Sequence, residues 1–391
     1  MEIGGNSSVV INFNHNNYLS HFYKMPYFNL RNQCIVLLLL ASLLNSCKPN
    51  VDLKTYYKVT CVDSPEAGKI FVTFDNFDFP ANTPDIGVLA IFDEQGNLLK
   101  SEVFNTDVNT FQKLKLGGQT YYTYMVCDPK AFSATGNRHS TGHFIFADTN
   151  LNEIKQVHLL PYKGITTDRH EDLDFHDFIP FSKDHYIIMA YYSKQVSNIP
   201  QSKSPSSKGA VITNIIEEID NGKVVWQWDF SDNPEFYSYA SDTFNAPNGK
   251  ATDYLHSNSM FLDPCDSNLL VSIRKQNQIV KISRKTGAVL WKLGGDNSDF
   301  PMLPRQQMQG QHDAKLTDSN QTLLVFDNGS QKRPYSRILE YRLDEANKKI
   351  VSFKSFLIPE PYSGFMGSVQ KNRRQLFYRR RYCRVSSGNK L

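Results

Sequence analysis

Residues 278–293 read QIVKISRKTGAVLWKL, two runs of alternating apolar residues either side of a Gly-centred turn, the pattern of a β-hairpin. The same unit recurs as VLAIFDEQGNLLKSEVF from Val88 and HFIFADTNLNEIKQVHL from His143. It returns as VITNIIEEIDNGKVVWQWDF from Val211 and RILEYRLDEANKKIVSFKSF from Arg337. Its turns, at Gly96, Asn152, Gly222, Gly287 and Asn347, are separated by 56, 70, 65 and 60 residues. No long 3.6-residue periodicity competes with these strands from residue 60 onward. Each interval has room for one four-stranded sheet. Such a series predicts an all-β chain folded as a β-propeller, rather than a β-sandwich with chance hairpins.

A second element precedes three of the hairpins: a His, a strand, a short turn and another strand. It reads HDFIPFSKDHYIIMAYY from His176, HSNSMFLDPCDSNLLVSIR from His256 and HDAKLTDSNQTLLVFDNG from His312. In a propeller the innermost strands surround a central channel, so equivalent positions in successive blades converge. Any one of these His residues alone reads as a hydrogen-bonded turn residue; their repetition points to a shared site.

With 391 residues, 40% apolar and 21% charged, and with 26 Phe and 20 Tyr, the chain is neither disordered nor a coiled coil. The net charge of +4 is unevenly spread. Residues 371–391 carry eight Lys or Arg and no acid, and residues 1–46 add one more positive charge, so the span 47–370 sits near −5. Nothing in that body supports nucleic-acid binding. No GxxxxGK[ST] loop occurs, since the Gly-Lys pairs at Gly68, Gly222 and Gly249 are followed by Ile, Val and Ala.

Ile35–Leu44 (IVLLLLASLL) is an apolar run too short to span a bilayer. It is followed by Asn45-Ser46-Cys47, and Leu44-Asn45-Ser46-Cys47 resembles the lipobox of bacterial lipoproteins. That resemblance implies export, acylation of Cys47 and a membrane partner reached through the lipid anchor. Met25 stands at the usual distance upstream of such a signal. The expected organisation is an upstream extension and signal over 1–46, a linker over 47–60, the propeller over 61–370 and a basic tail over 371–391. An exported chain permits a Cys61–Cys127 disulfide, which spacing alone does not establish.

The His-bearing segments resemble the bacterial aryl-sulfate sulfotransferase family, which uses no nucleotide sulfate donor. The resemblance is carried by Asp253-Tyr254-Leu255-His256-Ser257-Asn258-Ser259, Ser272-Ile273-Arg274-Lys275-Gln276-Asn277, Trp291-Lys292-Leu293-Gly294-Gly295 and Gly310-Gln311-His312-Asp313-Ala314. Phe326-Asp327-Asn328-Gly329 and Tyr335-Ser336-Arg337-Ile338-Leu339-Glu340-Tyr341 follow in the same order. It implies a six-bladed propeller with its site in the central channel. The nucleophilic His of that family matches His312. The His and Asn of its D-x-x-H-x-N-S motif match His256 and Asn258. Its Arg eighteen residues later matches Arg274, and the His of an upstream His-Asp pair matches His176. The implied reaction moves a sulfuryl group from an aryl sulfate ester to a phenol acceptor through a sulfohistidine, with no cofactor.

The residue types suit that chemistry. Sulfuryl transfer places negative charge on non-bridging oxygens and on the departing phenolate, as phosphoryl transfer does. An imidazole with an ordinary pKa near 6.5 is a competent neutral nucleophile. Arg274 offers a planar, permanent charge to sulfate oxygens, while His256 and His176 can donate hydrogen bonds and exchange a proton with the phenol. Asn258 can orient a His or bind an oxygen. Two other readings compete. His170, Asp172, Asp174 and His176 share one face of any strand they form, which suggests a metal-binding propeller or an ester hydrolase; a solvated acidic edge explains them as well. A non-catalytic interaction module is the other.

The last blade departs from the family. After Gln370 the chain runs KNRRQLFYRRRYCRVSSGNKL, without a Gly-turn hairpin or strand alternation. The expectation is an incomplete last blade and a chain that is unstable and weakly active or inactive.

Overall fold

A computed structural model of the protein describes residues 8–13, 52–53, 57–62, 68–75, 86–128, 141–167, 173–241, 244, 251–317, 322–358, 362–372 and 375–379. Among them the chain is almost wholly β-structure, in antiparallel sheets laid down in chain order. β1 (Ser8–Phe13) pairs with β2 (Tyr57–Val62). β3 (Lys69–Phe74), β4 (Gly87–Asp93) and β5 (Leu98–Phe104) form a three-stranded sheet. β6 (Val108–Leu116), β7 (Gln119–Cys127), β8 (Thr141–Ala147) and β9 (Glu153–Val157) form a four-stranded meander. A second consists of β10 (Leu173–Pro180), β11 (His185–Val196), β12 (Gly209–Asp220) and β13 (Lys223–Asp229), with β14 (Thr252–Asp253) beside β12. A third holds β15 (Ser257–Leu262), β16 (Leu269–Ile273), β17 (Gln278–Ile282) and β18 (Val289–Gly294). A fourth holds β19 (His312–Thr317), β20 (Thr322–Asp327), β21 (Arg337–Asp344) and β22 (Lys349–Leu357). β23 (Ser368–Asn372) and β24 (Gln375–Arg379) close the series as a hairpin.

The first strand of each sheet lies against the first strand of the next: β3 by β6, β6 by β10, β10 by β15, β15 by β19 and β19 by β23. Sheets radiating from such a row of inner strands are the blades of a propeller. Burial follows position. β16 and β17 are buried along their whole length, whereas no residue of the outermost strand β22 is buried. The period of two divides each middle strand between two interfaces. Leu269, Val271 and Ile273 of β16 join the core against the β10–β13 sheet, and Leu270 joins the core against β19–β22. All five expected hairpins form, and Gly96, Gly222 and Gly287 turn with φ of 83°, 74° and 72°, which glycine adopts without strain.

Two features differ from the sequence reading, and a third decides a cysteine pairing that spacing left open. The β6–β9 and β10–β13 meanders are fused, because Leu173 and Asp174 of β10 pair with Gly142 and Thr141 of β8. On its other side Gly142 lies tight against β7, where a Cβ would lie 2.1 Å from the Val126 carbonyl oxygen. Strand pairing also continues past Gln370, with Ser368 opposite Arg379 and Asn372 opposite Gln375. The segment QLFYR is short, but its two aromatics favour extended backbone. Cys127 is a buried free thiol that accepts a hydrogen bond from the Asn109 amide at 3.5 Å, so the bridge to Cys61 is not formed. β1 falls within the expected 1–46 extension, whereas Cys47 and the apolar run before it lie outside the described residues.

Side-chain ties hold neighbouring sheets together. The Lys281 ammonium, 2% exposed, meets Asp263 and Asp266 at 2.8 Å and, across the next interface, Glu345 at 2.9 Å. Removing one member of a buried ion pair leaves the other charge uncompensated. Lys281→Ala should therefore cost about 3–5 kcal/mol of unfolding free energy in urea denaturation. A loss well under 1 kcal/mol would mean that the cluster is as dispensable as an exposed pair.

Candidate functional site

Four inner strands break register with the strand that follows: β6 between Asn109 and Gln112, β10 between Leu173 and Phe178, β15 between Ser257 and Ser259, and β19 between His312 and Lys315. Thr110, His256 and Asp313 take φ of 53°, 54° and 52° at or beside these breaks. Such bulges turn a side chain out of the alternation of its strand. Here they direct three His residues to one place. The His176 ring lies 5.8 Å from that of His256 and 6.2 Å from that of His312, centroid to centroid.

Each ring is held by its neighbours. His176 stacks on Phe175 at 4.2 Å, and its Nδ1 lies 2.8 Å from the buried Asp174 carboxylate. His256 Nδ1 lies 3.0 Å from Asp253, which also accepts the His256 backbone N–H at 3.1 Å. Tyr191 packs its ring edge-on against His176 and tilted against His256, and donates its hydroxyl to the Ser257 carbonyl at 2.6 Å. His312 is the most enclosed of the three, 3% exposed. Its Nδ1 lies 2.6 Å from Asn328 Oδ1 and 3.2 Å from the Gly310 carbonyl, and its Nε2 accepts the Met366 backbone N–H at 3.2 Å. Burial, together with the nearby His176, Arg274 and His256, holds the His312 imidazole well below its ordinary pKa, against the Asn328 bond that acts to raise it. It is a neutral base at neutral pH.

Arg274 follows β16, where its backbone N–H donates to the His256 carbonyl at 3.1 Å. Its guanidinium donates to the Gly364 carbonyl at 3.2 Å, while its buried Nε has no hydrogen-bond partner among the described residues. Asn258 does not bond a His ring: its amide donates to the Gln311 carbonyl at 2.7 Å, fixing the backbone that leads into His312. Its Oδ1 is likewise buried and unpartnered among the described residues. The four residues expected to be catalytic thus share one site, and Asn258, expected to bind substrate or orient a His, reaches it from β15 with its amide on the backbone before His312. Of the alternative metal set, His170 and Asp172 lie outside the described residues, and the Asp174 carboxylate is bonded to His176.

The family model Arylsulfotransferase (ASST) matches residues 137–390, which include the three His residues, Arg274 and Asn258. The chain belongs to the arylsulfotransferase family. No curated protein matches it. Among solved structures, a protein of unknown function from Bacteroides caccae is 10% identical with a TM-score of 0.36, over 71% of this chain and 75% of that one. The dihydro-heme d1 dehydrogenase NirN is 12% identical with a TM-score of 0.35, over 84% and 52%. A catalytically inactive virginiamycin B lyase from Staphylococcus aureus is 10% identical with a TM-score of 0.32, over 78% of each chain.

In the sequence of this arylsulfotransferase-family chain Asp253 and Asn328 lie within family segments and Asp174 within a candidate metal set, with no role toward the His rings assigned to them. The spacing of Asp two or three residues before a His was the available signal for Asp174 and Asp253. Tyr191, Gly364 and Met366 carried none, because their contacts come from other elements.

The residues beside the His positions tie one inner strand to the next. Thr110 donates its hydroxyl to the Phe175 carbonyl of β10. Asp177 accepts the Met260 N–H of β15 at 2.9 Å, Ser259 accepts the Ala314 N–H of β19 at 3.0 Å, and Asp313 accepts the Val369 N–H of β23 at 2.6 Å. Desolvation pushes the Asp177 carboxyl up to about 7; the Met260 N–H and Lys315 act against it, and the Asp313 carboxylate reinforces it. The folded state holds this proton more tightly than the unfolded chain does. Its stabilising effect is full below pH about 4 and is lost as pH rises through about 7. Asp177→Asn keeps an oxygen acceptor and removes the titration. Denaturation across pH 4–8 should show the difference in stability between Asp177→Asn and wild type changing in favour of the variant as pH rises; a constant difference would contradict the assignment.

Proposed function

We propose that this chain transfers a sulfuryl group from an aryl sulfate ester to a phenol through a covalent intermediate on His312, without a nucleotide donor. The observation that carries the reading is the buried, neutral His312 imidazole beside Arg274, His176 and His256, in a chain of the arylsulfotransferase family. In the first half-reaction the imidazole attacks sulfur and the phenolate departs. Arg274 neutralises charge on the sulfuryl oxygens. His256 and His176, backed by Asp253 and Asp174, donate to those oxygens, and one of them supplies a proton to the leaving phenolate. The second half-reaction reverses these roles toward the acceptor phenol.

In the structure the Ser363–Gly367 segment covers His312 Nε2 and bonds Arg274, so donor binding requires these two contacts to give way. Export with a lipid on Cys47 is part of the same proposal, supported by the short apolar run and the Leu44–Cys47 motif. Cys47→Ala should release the chain from the membrane fraction of its host, and a variant that stays there as fully as wild type would end that part of the proposal.

With 4-nitrophenyl sulfate as donor and phenol as acceptor, initial rates should give the parallel double-reciprocal lines of a ping-pong mechanism. His312→Ala should abolish transfer. His256→Ala and Arg274→Ala should each lower kcat by roughly 10²–10³-fold. Wild-type rates in the His312 variant would rule out the covalent route.

A further inference from the structure

We propose that Asn328 is the positioning residue that selects the reacting nitrogen of His312, holding the proton on Nδ1 and leaving the lone pair on Nε2. The inference rests on the reading of His312 as the sulfuryl acceptor.

Asn328 is fully buried at the end of β20. Its Nδ2 lies 2.9 Å from the Ser363 carbonyl oxygen and 2.5 Å from the Met366 carbonyl oxygen. Both partners are acceptors only, so the atom facing them is the NH₂ group and the amide has one orientation. Its backbone is held too, because Ser336 donates its hydroxyl to the Asn328 carbonyl at 2.9 Å.

With that orientation fixed, Oδ1 is the atom 2.6 Å from His312 Nδ1. Oδ1 accepts and cannot donate, and the second neighbour of Nδ1, the Gly310 carbonyl at 3.2 Å, is an acceptor as well. Nδ1 therefore carries hydrogen. On the opposite edge of the ring Nε2 faces a donor, the Met366 N–H at 3.2 Å, which requires a lone pair. Every contact of the ring agrees on one tautomer, and Asn328 also pins the turn that brings Met366 there. The partner of one ring nitrogen thus decides what the other can do.

The consequence for transfer is direct. The Nε2 lone pair forms the N–S bond as the S–O bond to the aryl group breaks, and the phenolate leaves with the electron pair. The ring keeps its Nδ1 proton and gains a positive charge facing Asn328 Oδ1. In the other tautomer Nε2–H would have to lose a proton during the attack, and no base is bonded to it. A wrong tautomer in an otherwise intact site is among the most damaging single changes known to enzymes that use His.

The direct test is ¹⁵N NMR of protein labelled in histidine, with His312 assigned through His312→Asn. Wild type should show Nδ1 protonated and Nε2 bare at neutral pH; the opposite pattern overturns the proposal whether or not the protein transfers sulfuryl groups. Asn328→Ala should populate both tautomers and lower kcat at least tenfold, with the KM for donor changed less. Asn328→Asp should keep the wild-type tautomer and recover part of that rate. It should also move the acid limb of kcat/KM to higher pH, because a carboxylate opposite Nδ1 favours the imidazolium against the opposing His176, His256 and Arg274. An unchanged acid limb in Asn328→Asp, or an unchanged tautomer in Asn328→Ala, would also overturn it. The expected tautomer in a chain that transfers from no aryl sulfate would instead remove the proposed function and leave the positioning intact.

Discussion

The structure depends on single side-chain hydrogen bonds between inner strands that share no sheet ladder. Within a blade, strands are joined by rows of backbone bonds; between blades, the inner strands meet through Thr110, Asp177, Ser259 and Asp313. Each tie lies within three residues of a register break or a His. The same few residues that hold neighbouring blades together therefore set where the His side chains converge. A change at one of these ties is expected to act on both stability and site geometry.

That coupling explains the chemical character of the site. An imidazole with the nucleophilic role proposed for His312 must be kept from protonation and also from rotation. Burial and three nearby positive or protonatable groups serve the first need for His312, and the Asn328 and Gly310 acceptors serve the second. His176 and His256 are each backed by a carboxylate, which suits groups that exchange a proton, whereas His312 is backed by a neutral amide. The three rings are equivalent by position and distinct by partner.

Much of this was legible in the sequence. The five hairpin turns and the three His-headed strands follow from apolar alternation and turn residues, both local properties. The His repeated at the strand start implies convergence. What the sequence could not convey depends on contacts between elements far apart in the chain. The fusion of two meanders pairs Leu173 and Asp174 with Gly142 and Thr141, some thirty residues apart, and the covering of Nε2 by Met366 spans 54 residues. QLFYR, short and flanked by Arg, reads as a tail until its pairing with β23 is seen. Asn258 had the expected identity but serves the backbone before His312 rather than a ring.

The account turns on where the sulfuryl group rests between donor and acceptor. The measurement is peptide mass spectrometry of protein mixed with an aryl sulfate in the absence of phenol and quenched in alkali, in which a sulfated imidazole survives better than in acid. The account predicts one sulfated peptide, containing His312, that disappears when phenol is added before the quench. Sulfation of His176, His256 or a tyrosine instead, or active transfer with no sulfated peptide, would contradict it.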